Sequence, residues 1–599
     1  MTLAVALDAS AQPHVGGSVD PDPHREPIGD LATGARDPFE DDERMRRHGL
    51  PAGERVSEFV VAPVPHLVAR ILTGQQRGQH LRIEPRPPSG EVDPRHEVVD
   101  LDDGGTQHLG DTTRDRRLAR PGRTIHADQT DALDGARPRG TRNRLDDHWL
   151  LHRPIVPGQA SDLCGPLIVK SVEAHEIVVI GAGLAGLRCA ARLAHAGHDV
   201  VVLEAGDRVG GRQRTDEVDG FLLDRGFQVL NPAYPAVRRW VDVDALRMRP
   251  FPVGVRVRRE DKVAELRHPL RQPTGLPAIL RSGLVSPRDA AAVARWITPA
   301  LLRPKSVIAG ADRTLREGWD RVGLRGALRT EVLEPFLAGV LADDTGATSD
   351  SFARLLVRMF AIGRPGVPER GIGALPAQLA RTATAAGATI RLGHRVTGVR
   401  ARGGKVEIAV DGAESLHARA AVVAVGPGQV ADLLDLPKPV TKGLQTWWFS
   451  ADAAPSASAL LSVDGRRRGP VVNTVVMSHA APSYAPAGRH LIEATCLLAA
   501  GAGFAPREAE VRRQLAEVWG ASTAEWQLLR RDDIPDALPS QPPPLRVTNP
   551  ARCGDGLYVA GDHRDTASIQ GALVSGERAA RAVLADLDSA GALRGGIGG

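Results

Sequence analysis

The sequence predicts an α/β fold. Two stretches support that prediction, one near the start and one near the end of the part in which apolar strands and helices alternate. Residues 176–215 run as an apolar strand, a glycine-rich turn, a helix and a second apolar strand that ends in an acidic residue. Residues 555–587 run as a short strand, a Gly-Asp turn and a helix. Alternation of apolar strands with helices is typical of a mainly parallel sheet whose strands are buried on both faces.

The first stretch carries a glycine pattern in a specific setting. The β-branched run at residues 177–180 suits a buried strand. Gly181, Gly183 and Gly186 follow it in the pattern G-x-G-x-x-G. In such a turn the first glycine makes the tight bend, and the second lets the backbone approach a pyrophosphate. The third glycine lets helix and strand pack closely.

A helix and an acidic residue complete this unit. Leu184 and Ala185 open the helix, whose first N–H groups point at the phosphates. Gly197 ends the helix, and the second strand closes with Glu204 and Ala205. At this distance from the glycines, the Glu204 carboxylate can accept hydrogen bonds from both hydroxyls of an adenosine ribose. The unit therefore predicts a dinucleotide site.

Two further motifs follow this unit. Residues 208–212 read R-x-G-G-R and residues 220–226 read G-F-x-x-D-x-G. Glycine permits close approach, and Arg212 supplies a forked donor to phosphate. With these motifs the chain resembles the flavin-containing amine oxidase superfamily, which includes phytoene desaturases and protoporphyrinogen oxidases. The resemblance implies that Gly211 and Arg212 lie along the pyrophosphate of FAD and assigns Gly226 to the same site.

The resemblance extends to two distant segments. Gly561 and Asp562 match the family's Gly-Asp pair beside the ribityl chain and phosphates. Ile569 and Ala572 match the start of a helix that faces the isoalloxazine, where the helix dipole stabilises negative charge on the ring. Val396 fits a position that touches the adenine through its backbone. The implied cofactor is FAD, bound without a covalent link because residues 561–571 contain no cysteine.

The resemblance covers roughly residues 174–587. It implies a Rossmann-like FAD-binding domain of the glutathione-reductase type with an inserted sheet-plus-helix substrate domain. We predict a discontinuous FAD-binding domain at 174–240, 366–430 and 546–587, a substrate domain at 241–365 and 431–545, and a loose tail at 588–599.

Residues 1–172 show neither a helical nor a strand period and are rich in Arg, Asp and Pro. We predict a disordered or weakly ordered extension, because such a segment buries too little apolar surface to offset its ordering entropy. No methionine lies between Met45 and Met248. A start at a valine codon near Val169 or Val172 is therefore a second interpretation, in which the segment is not part of the natural protein.

Composition excludes several partner classes. The net charge is +4 without a Lys/Arg block, which argues against a nucleic-acid partner. The scattered Cys164, Cys189, Cys496 and Cys553 form no C-x-x-C pair, which predicts free thiols in a reducing compartment and no metal site. No signal peptide or membrane span is evident, so we expect a cytoplasmic protein.

Residues 267–296 mix Arg with Leu, Ile and Val. This composition fits ordinary lid or core helices or, alternatively, a segment in peripheral contact with a membrane surface.

We predict an FAD-dependent oxidoreductase that passes hydride from an apolar organic substrate to the flavin, with a quinone or O2 as electron acceptor. Catalytic residues are not predicted, because hydride transfer needs little beyond positioning. Trp447 and Trp448 should face opposite sides of a strand, so at most one lines the pocket, and core packing is the first interpretation for each. The oligomeric state is left open.

Two alternatives stay open. A flavin amine oxidase commonly carries a cage aromatic just before the last helix, but that place falls near Ser568 here. None of the six lysines matches the flavin-facing lysine of that group. GDP-dissociation inhibitors share the fold without flavin and bind small GTPases, but the intact R-x-G-G-R and Gly-Asp motifs argue against this class.

Overall fold

Two β-sheets organise the part of the chain that the computed structural model describes, namely residues 174–268, 276–498 and 505–595. The extension predicted for residues 1–172 lies outside these residues. The strands, in chain order, are β1 (Ala174–Ile180), β2 (Val200–Leu203), β3 (Thr215–Val218), β4 (Phe221–Asp224), β5 (Arg249–Pro250), β6 (Gly254–Arg258), β7 (Val263–Arg267), β8 (Gly366–Val367), β9 (Thr389–Arg391), β10 (Val396–Arg402), β11 (Lys405–Val410), β12 (Leu416–Val423), β13 (Thr441–Ala451), β14 (Leu461–Asp464), β15 (Val471–Val476), β16 (His490–Leu498), β17 (Gln527–Pro539), β18 (Arg552–Gly554) and β19 (Leu557–Val559).

The helices pack around these sheets. They are α1 (Leu184–His195), α2 (Pro235–Trp240), α3 (Leu276–Ser282), α4 (Pro287–Leu302), α5 (Pro304–Ala309), α6 (Leu315–Val322), α7 (Glu334–Leu341), α8 (Asp350–Ile362), α9 (Ala374–Ala385), α10 (Val430–Leu433), α11 (Met477–Ala480), α12 (Glu508–Trp519) and α13 (Ile569–Gly595). A π-helical stretch, Leu328–Leu333, leads directly into α7.

The first sheet has eight strands, with the order β10-β11-β12-β1-β2-β9 and with β19 beside β12 and β18 beside β19. Its centre is parallel, because β1 pairs in parallel with β12 and β2, and β12 with β19. The apolar strand β2 and the last four residues of β1 are buried, as expected for a sheet covered on both faces. Three stretches of chain, 174–203, 389–423 and 552–559, therefore build one sheet.

The second sheet has seven strands in the order β17-β13-β16-β15-β14-β6-β7. Neighbouring strands are antiparallel except β14 and β6. Helix α12 packs with Trp447 in the core on one face. On the other face, Gly339 of α7 lies against the side chain of Asn473 on β15.

The two tryptophans of β13 belong to different cores. Trp447 is 1% exposed and packs with Phe449 and α12, whereas Trp448 is fully buried in the core that contains Tyr484. Their opposite directions follow from the strand's period of two. Core packing is confirmed for both residues.

The end of the chain differs from the prediction. Helix α13 runs on to Gly595, seven residues beyond the predicted start of a loose tail at 588. Residues 588–594 include Ala590, Ala592, Leu593 and Arg594, which are good helix formers, so a single glycine at 591 does not end the helix. Strands β10 and β11 form a hairpin that turns at Gly403 and Gly404, both of which have positive φ.

Asp224 connects β4 to surrounding parts of the chain. Its carboxylate accepts hydrogen bonds from Thr215 Oγ1 at 2.5 Å, the Ile372 N–H at 3.0 Å and the Tyr484 hydroxyl at 2.9 Å. The residue is 1% exposed, and burial raises its pKa to about 6 against the opposing effect of these hydrogen bonds. The charged form of Asp224 therefore destabilises the fold relative to the protonated form.

We predict that Gly186→Ala destabilises the protein. A Cβ at this position of α1 would lie 2.0 Å from the carbonyl oxygen of Gly181, a backbone atom that cannot move aside alone. The expected loss is about 1–3 kcal/mol, as for other overpacked sites, and thermal unfolding of purified protein measures it. Gly398→Ala is the control, since its nearest contact would be the Ala409 Cβ at 3.8 Å. Equal melting temperatures for both variants would contradict the packing role.

We predict that Asp224→Asn changes how stability depends on pH. A carboxyl whose pKa is raised by folding contributes stability that is present below its unfolded pKa and is lost as pH rises through the folded value near 6. The variant lacks this loss, so its stability relative to wild type should rise between about pH 4 and 7 by up to about 3 kcal/mol. Denaturant unfolding across this range tests the prediction. Asp261→Asn, at an exposed position, should show no such trend.

Candidate active site

A single cavity of about 930 Å³ is lined by all three segments that the motifs singled out. Fourteen of the predicted cofactor residues line it: Gly181, Gly183, Leu184, Ala185, Glu204, Ala205, Gly211, Arg212, Gly226, Val396, Gly561, Asp562, Ile569 and Ala572. Gly186 does not line the cavity. It lies behind the turn, where its missing Cβ lets α1 approach Gly181, which matches the packing role expected for the third glycine.

The glycine turns form a cradle that fits a pyrophosphate. Helix α1 begins after Gly183 with no side-chain cap and no acidic residue in its first turn, so its N–H groups and dipole face the cavity unopposed. A Cβ added at Gly183 would meet no atom within 4 Å, whereas one at Gly211 would lie 3.5 Å from the Gly183 Cα. The Gly210 N–H donates to the Ala182 carbonyl at 2.9 Å and joins the two turns.

Glu204 stands at the end of β2 with its carboxylate held by the backbone. Oε2 accepts from the Ala182 N–H and Oε1 from the Gly206 N–H, both at 2.8 Å. The carboxylate lines the cavity beside His394 and Val396 of the third segment. A carboxylate fixed in this way retains lone pairs for the hydroxyls of a ribose. The residues present therefore fit the adenosine end of FAD.

Arg212 and Asp562 form an ion pair across the site. The Arg212 Nη2 lies 2.6 Å from Asp562 Oδ1, and Nη1 donates to the Ala537 carbonyl at 2.8 Å. The pair joins residues 350 positions apart in sequence and brings the end of β17 to the same place. Contact of Arg212 with phosphate stays a prediction, but the guanidinium has this additional bridging role, which no local motif indicated.

The Gly-Asp turn is tightly packed. Gly561 has a φ of +150°, and its N–H donates to Ser575 Oγ at 3.1 Å. A Cβ at Gly561 would lie 2.4 Å from the ring of His563, which explains the need for glycine. Burial lowers the pKa of His563 to about 4, so this imidazole is neutral beside Asp562.

Helix α13 begins at the cavity wall. Ser568 caps it, since its Oγ accepts from the Gly571 N–H at 3.1 Å. Gln570 accepts from the Ala236 N–H at 2.8 Å and fixes the helix start to α2. Ile569 and Ala572 line the cavity, so the positive end of this helix faces the site as predicted.

The rest of the cavity has an apolar lining that no sequence motif predicted. Phe227, Phe251, Phe336, Phe352 and Phe360 line it, which is half of the ten phenylalanines in the chain. They form two edge-to-face pairs, with ring centroids 6.0 Å apart for Phe227 and Phe251 and 5.8 Å apart for Phe336 and Phe360. The described lining residues between positions 227 and 365 and between 444 and 538 carry no charged side chain. We call this part of the cavity the apolar chamber.

Among the described residues, the chamber lacks the cage aromatic before the last helix and the lysine that are expected of an amine oxidase. Ser568 and its neighbour Ala567 line the cavity at the place where a cage aromatic would stand. No lysine or cysteine from the described residues lines the cavity. Within the described ranges, no group of three or more His, Cys, Asp or Glu could hold a metal ion. The helices of this part of the chain are all too short or too polar to span a bilayer.

Comparison with known proteins agrees with this geometry. The family described as flavin containing amine oxidoreductase matches residues 184–584. Hydroxysqualene dehydroxylase of Rhodopseudomonas palustris is 28% identical over 448 residues, covering 68% of this chain and 98% of that protein. L-amino-acid oxidase of Bungarus fasciatus is 42% identical over only 84 residues, 14% of this chain and 16% of that protein. An oxidoreductase structure from Methanosarcina mazei shares the fold, with a TM-score of 0.53, 19% identity, and coverage of 67% of this chain and 99% of that one.

We predict that Glu204→Gln weakens FAD binding. The substitution removes the charge and one acceptor at the place predicted for the ribose hydroxyls, and a hydrogen bond to a charged group contributes about 1.5–3 kcal/mol. The dissociation constant for FAD should therefore rise roughly tenfold to a hundredfold, measured by titrating flavin-stripped protein with FAD. Glu217→Gln, at an exposed position, is the control. Unchanged affinity in Glu204→Gln would remove this residue from the site.

Proposed function

The chain belongs to the flavin-containing amine oxidoreductase family, and from this membership we propose that it oxidises a largely apolar organic substrate by passing hydride to FAD. That it is an FAD-dependent oxidoreductase follows from the family and its relatives. The substrate class is the proposed part. One observation carries it: the apolar chamber is lined by five phenylalanines and by no charged side chain from the described residues.

The relatives support the same substrate class. The protein aligned over 98% of its own length is named for acting on hydroxysqualene, a hydrocarbon-like molecule. The amino-acid oxidase match covers 16% of that protein, which is too little to support its substrate here. A charged amine or amino acid would also have to be desolvated in the chamber without an opposite charge in its lining, which is costly.

The residues of this chain have separable tasks. FAD, when bound, supplies the hydride acceptor. The two glycine turns and the first turn of α1 would hold the pyrophosphate of FAD. Glu204 would bind the ribose. The start of α13 presents the positive end of its dipole to the site. The phenylalanine pairs would exclude water and orient the substrate for hydride transfer, which depends mainly on positioning.

The remaining assignments complete the proposal. A quinone or O2 takes the electrons, and the FAD is held without a covalent bond, since no described cysteine lines the cavity. A cytoplasmic location is supported by Cys189, Cys496 and Cys553, all free. Contact with a membrane surface would deliver a lipophilic substrate.

The purified protein tests this proposal directly. We expect a yellow protein that releases free FAD on heating. Under anaerobic conditions, a panel of unsaturated isoprenoid lipids should contain a compound that bleaches the flavin absorbance, while a panel of primary amines and amino acids should not.

Two results would contradict the proposal. A colourless protein without flavin would favour the non-enzymatic binding protein. Bleaching by amines, with hydrogen peroxide released on readmission of air, would favour the amine oxidase.

A further inference from the structure

Asn473 lies at the wall of the apolar chamber, on a sheet face that carries further polar side chains. Other polar side chains at the wall of the cavity have hydrogen-bond partners in the protein. Asn231, for example, donates to the Met359 carbonyl and accepts from the Ala233 N–H. Asn473 is different. It lines the cavity and is 3% exposed, yet its Oδ1 has no hydrogen-bond partner among the described residues. Gly339 of α7 has no side chain to cover it, so the amide reaches the cavity.

Strand register places three more polar side chains behind Asn473. Thr495 of β16 pairs with Asn473 on one side and with Thr446 of β13 on the other. Glu493 stands two residues before Thr495 and therefore on the same face. Thr446 likewise lies two residues after Leu444, which lines the cavity. We call Thr446, Asn473, Glu493 and Thr495 the wall cluster.

Glu493 is the donor within this cluster. It is fully buried, and its Oε1 accepts from Thr495 Oγ1 at 2.5 Å. Burial holds the pKa of the carboxyl well above its usual range, and no described arginine or lysine is hydrogen-bonded to it. A buried carboxyl without an opposite charge is neutral and carries a proton that it can donate.

Three polar atoms of the cluster are unused. Glu493 Oε2, Thr446 Oγ1 and Asn473 Oδ1 have no partner among the described residues. Asn473 is the member of the cluster that lines the cavity, and the other two atoms belong to the same sheet face on the neighbouring strands β13 and β16. Buried polar atoms in folded proteins nearly always have a partner, so three on this face indicate a site for a polar atom of a ligand.

We propose that the wall cluster is a subsite that binds a hydroxyl group of an otherwise apolar substrate. This inference rests on the proposed function and refines its substrate class. A hydroxyl both donates and accepts, which suits the carboxyl proton of Glu493, the acceptor Asn473 Oδ1 and the adaptable hydroxyl of Thr446. A carboxylate would find no cation there, and an ammonium ion would need an ionised Glu493, which burial disfavours.

The subsite is tested with flavin-loaded protein and two probes of one carbon skeleton, farnesol and farnesene. Dissociation constants are read from the change in flavin absorption on titration. Wild-type protein should bind farnesol more tightly than farnesene by a factor of about 10 or more, the equivalent of one net hydrogen bond.

Thr446→Val should reduce this preference to about threefold or less without changing affinity for farnesene. Since the Thr446 hydroxyl has no hydrogen-bond partner among the described residues, its removal should not lower the melting temperature. Glu493→Leu should abolish the preference for farnesol, and Glu493→Gln, whose amide still donates and accepts hydrogen bonds, should keep it.

Ser462→Ala is the matched control. Its hydroxyl is equally buried and equally unpartnered, but it pairs with Thr474 and therefore lies on the opposite face of the sheet.

Three results would overturn the subsite. They are equal affinity of wild-type protein for the two probes, a preference that survives in both Thr446→Val and Glu493→Leu, and tighter binding of farnesylamine than of farnesol. Each leaves the oxidoreductase assignment standing if the protein holds FAD. A protein that purifies without FAD and cannot be loaded would instead contradict the proposed function itself.

Discussion

The whole site depends on how closely α1 can approach its neighbours. A Cβ at Gly186 would lie 2.0 Å from the Gly181 carbonyl, and one at Gly576 would lie 2.2 Å from the Ala185 carbonyl. Helix α1 thus lies against the turn at Gly181 that follows β1 on one side and against α13 on the other, backbone against backbone. Because both contacts lie near the first turn of α1, they set where its N–H groups and the start of α13 meet the cavity. Side chains at these glycines would separate the elements that form the cofactor end.

Hydrogen bonds and an ion pair then join stretches of chain that strand pairing alone does not bring together. The ion pair of Arg212 with Asp562, together with the Ala537 carbonyl, connects the second glycine turn, β17 and the Gly-Asp turn. Asp224 makes a comparable junction with Ile372 and Tyr484. These groups are buried or half-buried, so each bond fixes geometry as well as contributing energy. The cavity accordingly has defined walls although its lining comes from widely separated residues.

The sequence was sufficient to predict that the three motif segments meet at one site, and insufficient for the chamber, for a physical reason. Gly181, Glu204 and Asp562 stand in short motifs whose spacing is dictated by a single strand-turn-helix unit. By contrast, the phenylalanines and the wall cluster become neighbours only through the register of β13, β15 and β16 and the placement of α7 and α8. Nothing within a short window marks Thr446 and Glu493 as neighbours. The loose tail predicted from 588 was wrong because helix formers such as Ala592 and Leu593 extend α13 to Gly595.

The three-segment construction has a consequence for biosynthesis. The turn at Gly181 is made early, but the wall containing Asp562 and Ile569 is added only after several hundred further residues. A growing chain therefore has no complete pocket, and the cofactor is captured by a chain that already includes its last helix. Since a ligand stabilises only the state that binds it, FAD would stabilise the finished chain and not a partly synthesised one.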